Sequence, residues 1–231
     1  LSGNFLHEQL EWLAGEGFAL SDDPSLCDRL RQRISHSSYP DDGEELLQWL
    51  QAVVQAPLPG PEVALASLRG AQAEMEFWLP TQRLRTEQVD RLCREHLLDG
   101  LPRPALQNSE LHGMLMGFTD LVFEHEGRYW VLDYKSNHLG MTDEDYGAQA
   151  LAAAMAQHRY DVQAAIYLLA LHRLLRSRLG EAYDPAEQLG GALYLFLRGI
   201  EGPARGCCLI QPDPDLLDAL DAMLTPQEQD A

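Results

Sequence analysis

The sequence of 231 residues predicts an α/β fold, a sheet flanked by helices. Three observations predict it. Apolar residues recur every three or four positions through residues 5 to 56 and again through 143 to 179, the period of helices with one buried face. Two strand-like runs, "GMLMGFTDLVF" and "RYWVLDYK", lie on either side of "EHEG". The stretch "GGALYLFLRG" is almost wholly apolar, as a strand buried on both faces requires.

Taken in order, residues 5–19, 25–35 and 43–56 read as helices, and "PLPGPEVAL" breaks the pattern. "AEMEFWLP", residues 73–80, reads as a strand ended by Pro80. Residues 86–98 look helical, with Thr86 as the expected N-cap. The two strands around "EHEG" follow, then two helices over 143–156 and 159–179. "GGALYLFLRG" is the buried strand, "CCLIQ" a last strand and 214–224 a last helix. The acidic end, 225–231, is expected to fray. There is no internal repeat and no low-complexity segment. The expected organisation is one domain over 1–231: a helical segment to residue 60, a core over 73–211, and a C-terminal helix and tail from 212.

Composition narrows the function. The formal net charge is −19, with 36 acidic against 17 basic residues. A field of that sign does not attract nucleic acid, so a nucleic-acid role must rest on a local site, on metal ions or on delivery by a partner. No P-loop is present, so no phosphate-loop motor is encoded. No apolar run is long enough to span a membrane, and no secretory leader opens the chain. The first residues enter a helix at once without an initiator Met, which reads as a piece of a longer polypeptide. Cys27, Cys93, Cys207 and Cys208 match neither a zinc nor an iron–sulfur spacing and are expected to be reduced thiols.

Lys135 is the only lysine; the other sixteen cationic side chains are arginine. It stands two residues after Asp133 in "VLDYKSN". If the hairpin is symmetric about Glu126 and Gly127, Val122 faces Val131 and Asp120 faces Asp133. Lys135 shares a strand face with Asp133. Two carboxylates and one ammonium then form one patch. Opposed carboxylates repel, and a hard divalent cation relieves them. The bland alternative is a surface ion-pair cluster worth little. Against it, both aspartates sit in largely apolar strands, where charges usually have a partner or a function. Such a site suits metal-assisted phosphodiester hydrolysis, and a compact ammonium approaches water and phosphate more closely than a guanidinium does.

"GFTDLVFEHEGRYWVLDYKSN" has the D-(x)n-D-x-K form and resembles the PD-(D/E)XK nucleases. Together with "GNFLHEQLE", "MAQHRYDVQAAIYLLALHR" and "GGALYLFLRG", it resembles the C-terminal nuclease domains of RecB subunits of exodeoxyribonuclease V (RecBCD) over most of the chain. The resemblance implies a nuclease core with a mixed central sheet flanked by helices, preceded by a helical N-terminal segment. It implies that Asp120 and Asp133 bind the metal, with the backbone carbonyl of Tyr134 and with His7. Lys135 orients the attacking water or stabilises transition-state charge. Glu74 matches a further acidic position, with Glu76 as its competitor. Gln163 and Tyr167 match a QxxxY motif on one helix face and, with Arg159, are expected at the DNA.

Without the resemblance, His7 is an ordinary surface or capping histidine, with His112, His125, His138 and His158 as rivals. Arg173, Arg176 and Arg178 are candidates for a DNA path, although the last two also complement a helix C-terminus. The implied cofactor is Mg²⁺, with Mn²⁺ or Ca²⁺ able to occupy the site and no iron–sulfur cluster. The implied partners are DNA, an upstream RecB-type helicase region of the same chain, RecC-like and RecD-like subunits, and a RecA-like recombinase. No membrane is involved, and the setting is the bacterial cytoplasm. Two alternatives stay open: a non-catalytic module of the same fold that docks a recombinase or partner subunits, and a restriction endonuclease.

Overall fold

The computed structural model describes residues 3–225. Its N-terminal segment is α1 (Gly3–Gly15), α2 (Pro24–Ser35) and α3 (Gly43–Gln55). Local chemistry starts α2: the Asp23 side chain accepts from the Ser25 N–H at 2.9 Å, and Pro24 stands where a helix needs no donor. In α3, Leu46, Leu47, Leu50, Val53 and Val54 form one buried stripe, each worth about 1.5–3 kcal/mol when removed from water. A short hairpin, β1 (Pro57–Leu58) and β2 (Val63–Ala64), follows.

The central sheet has the order β3 (Ala71–Arg85), β4 (Glu110–His125), β5 (Arg128–Lys135), β6 (Leu189–Phe196), β7 (Cys207–Ile210). Every neighbouring pair is antiparallel except β5 and β6, which are parallel, so the sheet is mixed. One face packs on α1–α3. The other packs on α4 (Thr86–His96), α5 (Ala148–Gln157), α6 (Tyr160–Leu179) and α8 (Pro214–Leu224). A short α7 (Pro185–Gln188) leads into β6. With cores on both faces, every residue of β6 is buried, as its apolar run predicts. Gly190 is required there, because a Cβ at that position would lie 2.4 Å from the Trp130 ring.

Three expectations need correction. Pro80 does not end its strand: β3 continues to Arg85, with Pro80 opposite Met114. An edge strand tolerates a residue without an N–H, and β3 is an edge. Thr86 is not the N-cap of α4 but its first residue. Its hydroxyl donates to the Gln107 carbonyl at 2.8 Å and accepts from the Ser109 N–H at 2.9 Å, fastening the helix start to the entry of β4. The helix expected over 143–156 is split. A 3-10 turn at Asp143–Tyr146, capped by Thr142 and Asp145, precedes α5. The acidic end expected to fray lies outside the described residues apart from Thr225.

The four cysteines are free thiols, and no described helix is long and apolar enough to cross a membrane. Beneath α6, Arg103 and Asp161 form an ion pair at 2.8 Å with both side chains fully buried. Arg103 also donates to the carbonyls of Leu101, Cys93 and Leu97, so its charge is solvated by the protein alone. Removing one partner of such a pair strands the other charge. Asp161→Ala is therefore expected to cost about 3–5 kcal/mol, read as a lower midpoint in urea unfolding.

Candidate active site

The candidate site is built at the end of β5. Side-chain alternation sends Asp133 and Lys135 to the α6 face and Tyr134 to the α1 face. The Lys135 ammonium is 2.6 Å from Asp133 Oδ2 and donates to Gln163 Oε1 at 3.0 Å. It also sits 3.8 Å above the Tyr160 ring. Both charged side chains are nearly buried, at 11% and 6% exposure. A compact ammonium fills this cage, whereas a planar guanidinium does not match its contacts.

Gln163 and Tyr167 complete the cage from below. Gln163 Nε2 donates to Tyr167 Oη at 2.7 Å and to Asp133 Oδ1 at 3.3 Å. The Tyr167 hydroxyl donates to the Phe118 carbonyl at 2.8 Å and lies 3.2 Å from Asp133 Oδ1. Burial and the nearby Asp133 charge hold its phenol above the ordinary range, so it keeps its proton. These two side chains were expected to face DNA. In the structure their polar atoms are engaged by Asp133, Lys135 and the Phe118 carbonyl of β4.

Arg159 is held by carboxylates and a carbonyl. It has a left-handed backbone at the start of α6. Its guanidinium is tied to Asp90 at 2.6 Å, to Asp161 at 3.1 Å and to the Pro104 carbonyl at 2.7 Å. Its side chain is 10% exposed. Arg173 and Arg176 likewise both bind Asp221 of α8.

The hairpin register is the expected one, with Val122 opposite Val131 and Leu121 opposite Leu132. The ladder stops there. Asp120 does not pair with Asp133 across it; its Oδ2 accepts the Tyr134 N–H at 2.7 Å, replacing a backbone acceptor. Asp120 therefore lines a cavity of about 80 Å³ on the α1 face with His7, Glu11, Glu74 and Tyr134. His7 Nδ1 is 3.6 Å from Asp120 Oδ2, and its ring stands edge-on to Tyr134. Burial, and next the Asp133 charge, push the Asp120 carboxyl up to about 6.

Glu74 reaches this cavity through a backbone anomaly. Its φ is +48°, in the left-handed region. Ala73 before it packs toward α1–α3, whereas Phe77 and Leu79 after it pack toward α6. The left-handed residue thus reverses the faces of β3 and aims Glu74 at Asp120. Glu76 pairs with Phe118 and does not line the cavity, so Glu74 is the acidic side chain that geometry favours. Glu11 was missed. It lines the same cavity, and burial together with the Glu74 charge raises its carboxyl. The available signal was its place four residues after His7, on one helix face.

This donor set suits a hard divalent cation: carboxylate oxygens, one imidazole, and an Asp120 carboxyl held high by burial and by the Asp133 charge. The side chains do not close around an ion as they stand. Among the described residues no three His, Cys, Asp or Glu side chains converge at metal-binding distances, because Asp133 is turned toward Lys135.

A mixed sheet between helical layers, with D-(x)n-D-x-K on a β-hairpin over a QxxxY helix, defines a nuclease fold. The PD-(D/E)XK nuclease superfamily model matches residues 1–226, and the chain belongs to that family, whose members use divalent metal ions. The chain is 43% identical over 227 residues to the RecBCD enzyme subunit RecB of Escherichia coli K12, covering 96% of this chain and 19% of that protein. It is 39% identical over 203 residues to the RecB subunit of Haemophilus influenzae, covering 85% and 16%. It is 48% identical over 107 residues to the RecB subunit of Mycobacterium tuberculosis H37Rv, covering 46% and 10%. The chain thus spans about a fifth or less of the length of these relatives.

The raised Asp120 carboxyl makes a stability prediction. Between its unfolded value, 3.8, and about 6 the native state holds more protons than the unfolded one. Stability contributed by this group is therefore lost as pH rises through about 6. In EDTA at pH 8, Asp120→Asn is expected to be about 1–2 kcal/mol more stable than wild type. The gain should shrink as pH falls from 6 toward 4, followed as melting temperature against pH.

Proposed function

We propose that this chain hydrolyses phosphodiester bonds of DNA with Mg²⁺, as the nuclease module of a RecB-like helicase–nuclease that processes DNA ends in double-strand break repair. The observation that carries this reading is the buried Asp133–Lys135 pair fixed by Gln163 and Tyr167, next to an Asp120 carboxyl kept high by burial and by the Asp133 charge. Buried charges are costly to desolvate, and such a pair beside a polar cavity marks a functional-site candidate.

Asp120, Asp133, His7 and the Tyr134 carbonyl would hold the metal, with Glu74 beside them. The bound cation supplies Lewis acidity toward the phosphate and lowers the pKa of a water. Lys135 orients that water and offsets charge that builds on the phosphate. Gln163 and Tyr167 restrict Asp133 to one rotamer. Because His7 comes from α1, the helical N-terminal segment belongs to the nuclease unit. In the cell the strand would be fed by an upstream motor in the same polypeptide, within an assembly holding RecC-like and RecD-like subunits and serving a RecA-like recombinase in the bacterial cytoplasm. The excess of 36 acidic over 17 basic residues fits a domain that depends on such delivery.

Lys135→Ala is expected to lower cleavage by about 10²-fold or more while metal binding is retained, the scale of losing one preorganised electrostatic group. Lys135→Arg should fare little better. Cleavage assays paired with Mn²⁺ titration calorimetry check both, and near-normal cleavage by the Arg variant would defeat this role for Lys135. Tyr167→Phe removes a partner of Asp133 and should raise the half-saturating Mg²⁺ concentration about 10-fold, within the range seen for such supporting groups, at an almost unchanged melting temperature.

A further inference from the structure

Four large apolar side chains stand in solvent on one ribbon: Trp78 of β3 and Met114, Met116 and Phe118 of β4, each about half exposed. Trp78 is directly opposite Met116, and Phe118 is opposite Glu76, so Trp78 and Phe118 are diagonal neighbours. Diagonal residues lie about 7–8 Å apart, within reach of aromatic rings. Their strand neighbours Phe77, Leu79 and Leu115 pack toward α6. The exposed row therefore stands on the opposite side, the side that further along the sheet carries α1–α3.

The row is continuous with the candidate active site. Phe118 precedes Asp120 by two residues, and its carbonyl is the acceptor for Tyr167. On the other side of Asp120, Leu121 and Phe123 are covered by the N-terminal helices. A strand whose phosphate sits at Asp120 therefore has its open path along the ribbon. The ribbon runs about 24 Å from Asp120 to Gly113 at 3.4 Å per residue, room for several nucleotides. Near its far end the β3–β4 register breaks between Thr81 and Leu84, where the exposed Arg83 lines a pocket with Gln88 of α4 and Ala222 and Met223 of α8. The occupant thus meets apolar and π surface along the row. Glu76 within the row repels phosphate and favours contact through bases.

We propose that this row is a base-stacking platform for single-stranded DNA leading to or from the scissile phosphate; the proposal rests on the nuclease reading above. Unpaired bases stack on aromatic side chains without regard to sequence, whereas a duplex hides its base faces. In a chain with few free cations, base contacts give affinity that phosphate contacts cannot.

The test uses the intact protein in EDTA, so that no strand is cut, with a single-stranded oligodeoxynucleotide of roughly 16 nucleotides carrying 5-iodouracil. Irradiation should crosslink it to the peptides bearing Trp78 or Phe118, and unlabelled single strands should compete far better than duplex. Trp78→Ala should raise the half-saturating DNA concentration for the Phe118 crosslink by about 5-fold or more, the scale of one lost base stack. Trp78→Phe should restore it. The dependence of that affinity on salt should be unchanged, since no phosphate contact is removed. These side chains are exposed, so the variants should fold. Absence of any crosslink on the ribbon would overturn the platform. If Asp133→Asn still abolishes cleavage in that case, the nuclease reading stands and the row is a surface covered by protein. A ribbon crosslink in a protein whose cleavage survives Asp133→Asn would support the platform while removing the assigned site.

Discussion

The ammonium of Lys135 is bonded at once to Asp133 on its own strand and to Gln163 on α6, and it lies against the Tyr160 ring. This arrangement constrains much else. A nearly buried ion pair is tolerated only with its remaining donors and acceptors satisfied. Gln163 and Tyr167 satisfy them, and Tyr167 must then reach the Phe118 carbonyl, which fixes where α6 crosses the hairpin. Gly117 follows from the same contact. Phe77 stacks edge-on against Tyr167, and a Cβ at residue 117 would lie 2.6 Å from the Phe77 ring.

The sheet divides the chemistry between its faces. Asp133 and Lys135 belong to the α6 face, and Asp120, Glu74, His7 and Glu11 surround a cavity on the α1 face. The two halves meet at the end of the β4–β5 ladder, where the Asp120 carboxylate accepts the Tyr134 N–H. Ending the ladder early lets a side chain from each face approach one point. Glu74 makes the matching adjustment on β3, where its left-handed backbone reverses the strand's faces. Strained backbone at such a point is typical of sites that must place a side chain against local preference.

Outside this region several arginines are held by carboxylates. Arg103, Arg159, Arg173 and Arg176 are paired to Asp90, Asp161 and Asp221 and tie helices together. An arginine fork suits this bracing, because it satisfies carboxylates and carbonyls together. The consequence is a surface with few cations free for phosphate, alongside an exposed apolar ribbon that begins two residues from Asp120.

The sequence by itself determined the helices of the N-terminal segment, the hairpin register and the buried strand β6. Each depends on local periodicity or on the symmetry of a short turn, and both are written in neighbouring residues. It also singled out Asp120, Asp133 and Lys135, because charges in apolar strands are conspicuous. Only the tertiary structure decided what those charges touch. The continuation of β3 beyond Pro80 depended on its being an edge strand, which strand order settles. That Glu74 and not Glu76 lines the cavity beside Asp120 depended on one left-handed residue that composition does not announce. Glu11 joined the site because α1 packs across β3, a contact between residues more than sixty positions apart. Gln163, Tyr167 and Arg159 carry groups able to meet a substrate, and the sequence cannot show that buried partners already engage them. Hydrogen-bond partners across a fold are fixed by packing, and packing is a property of the whole chain.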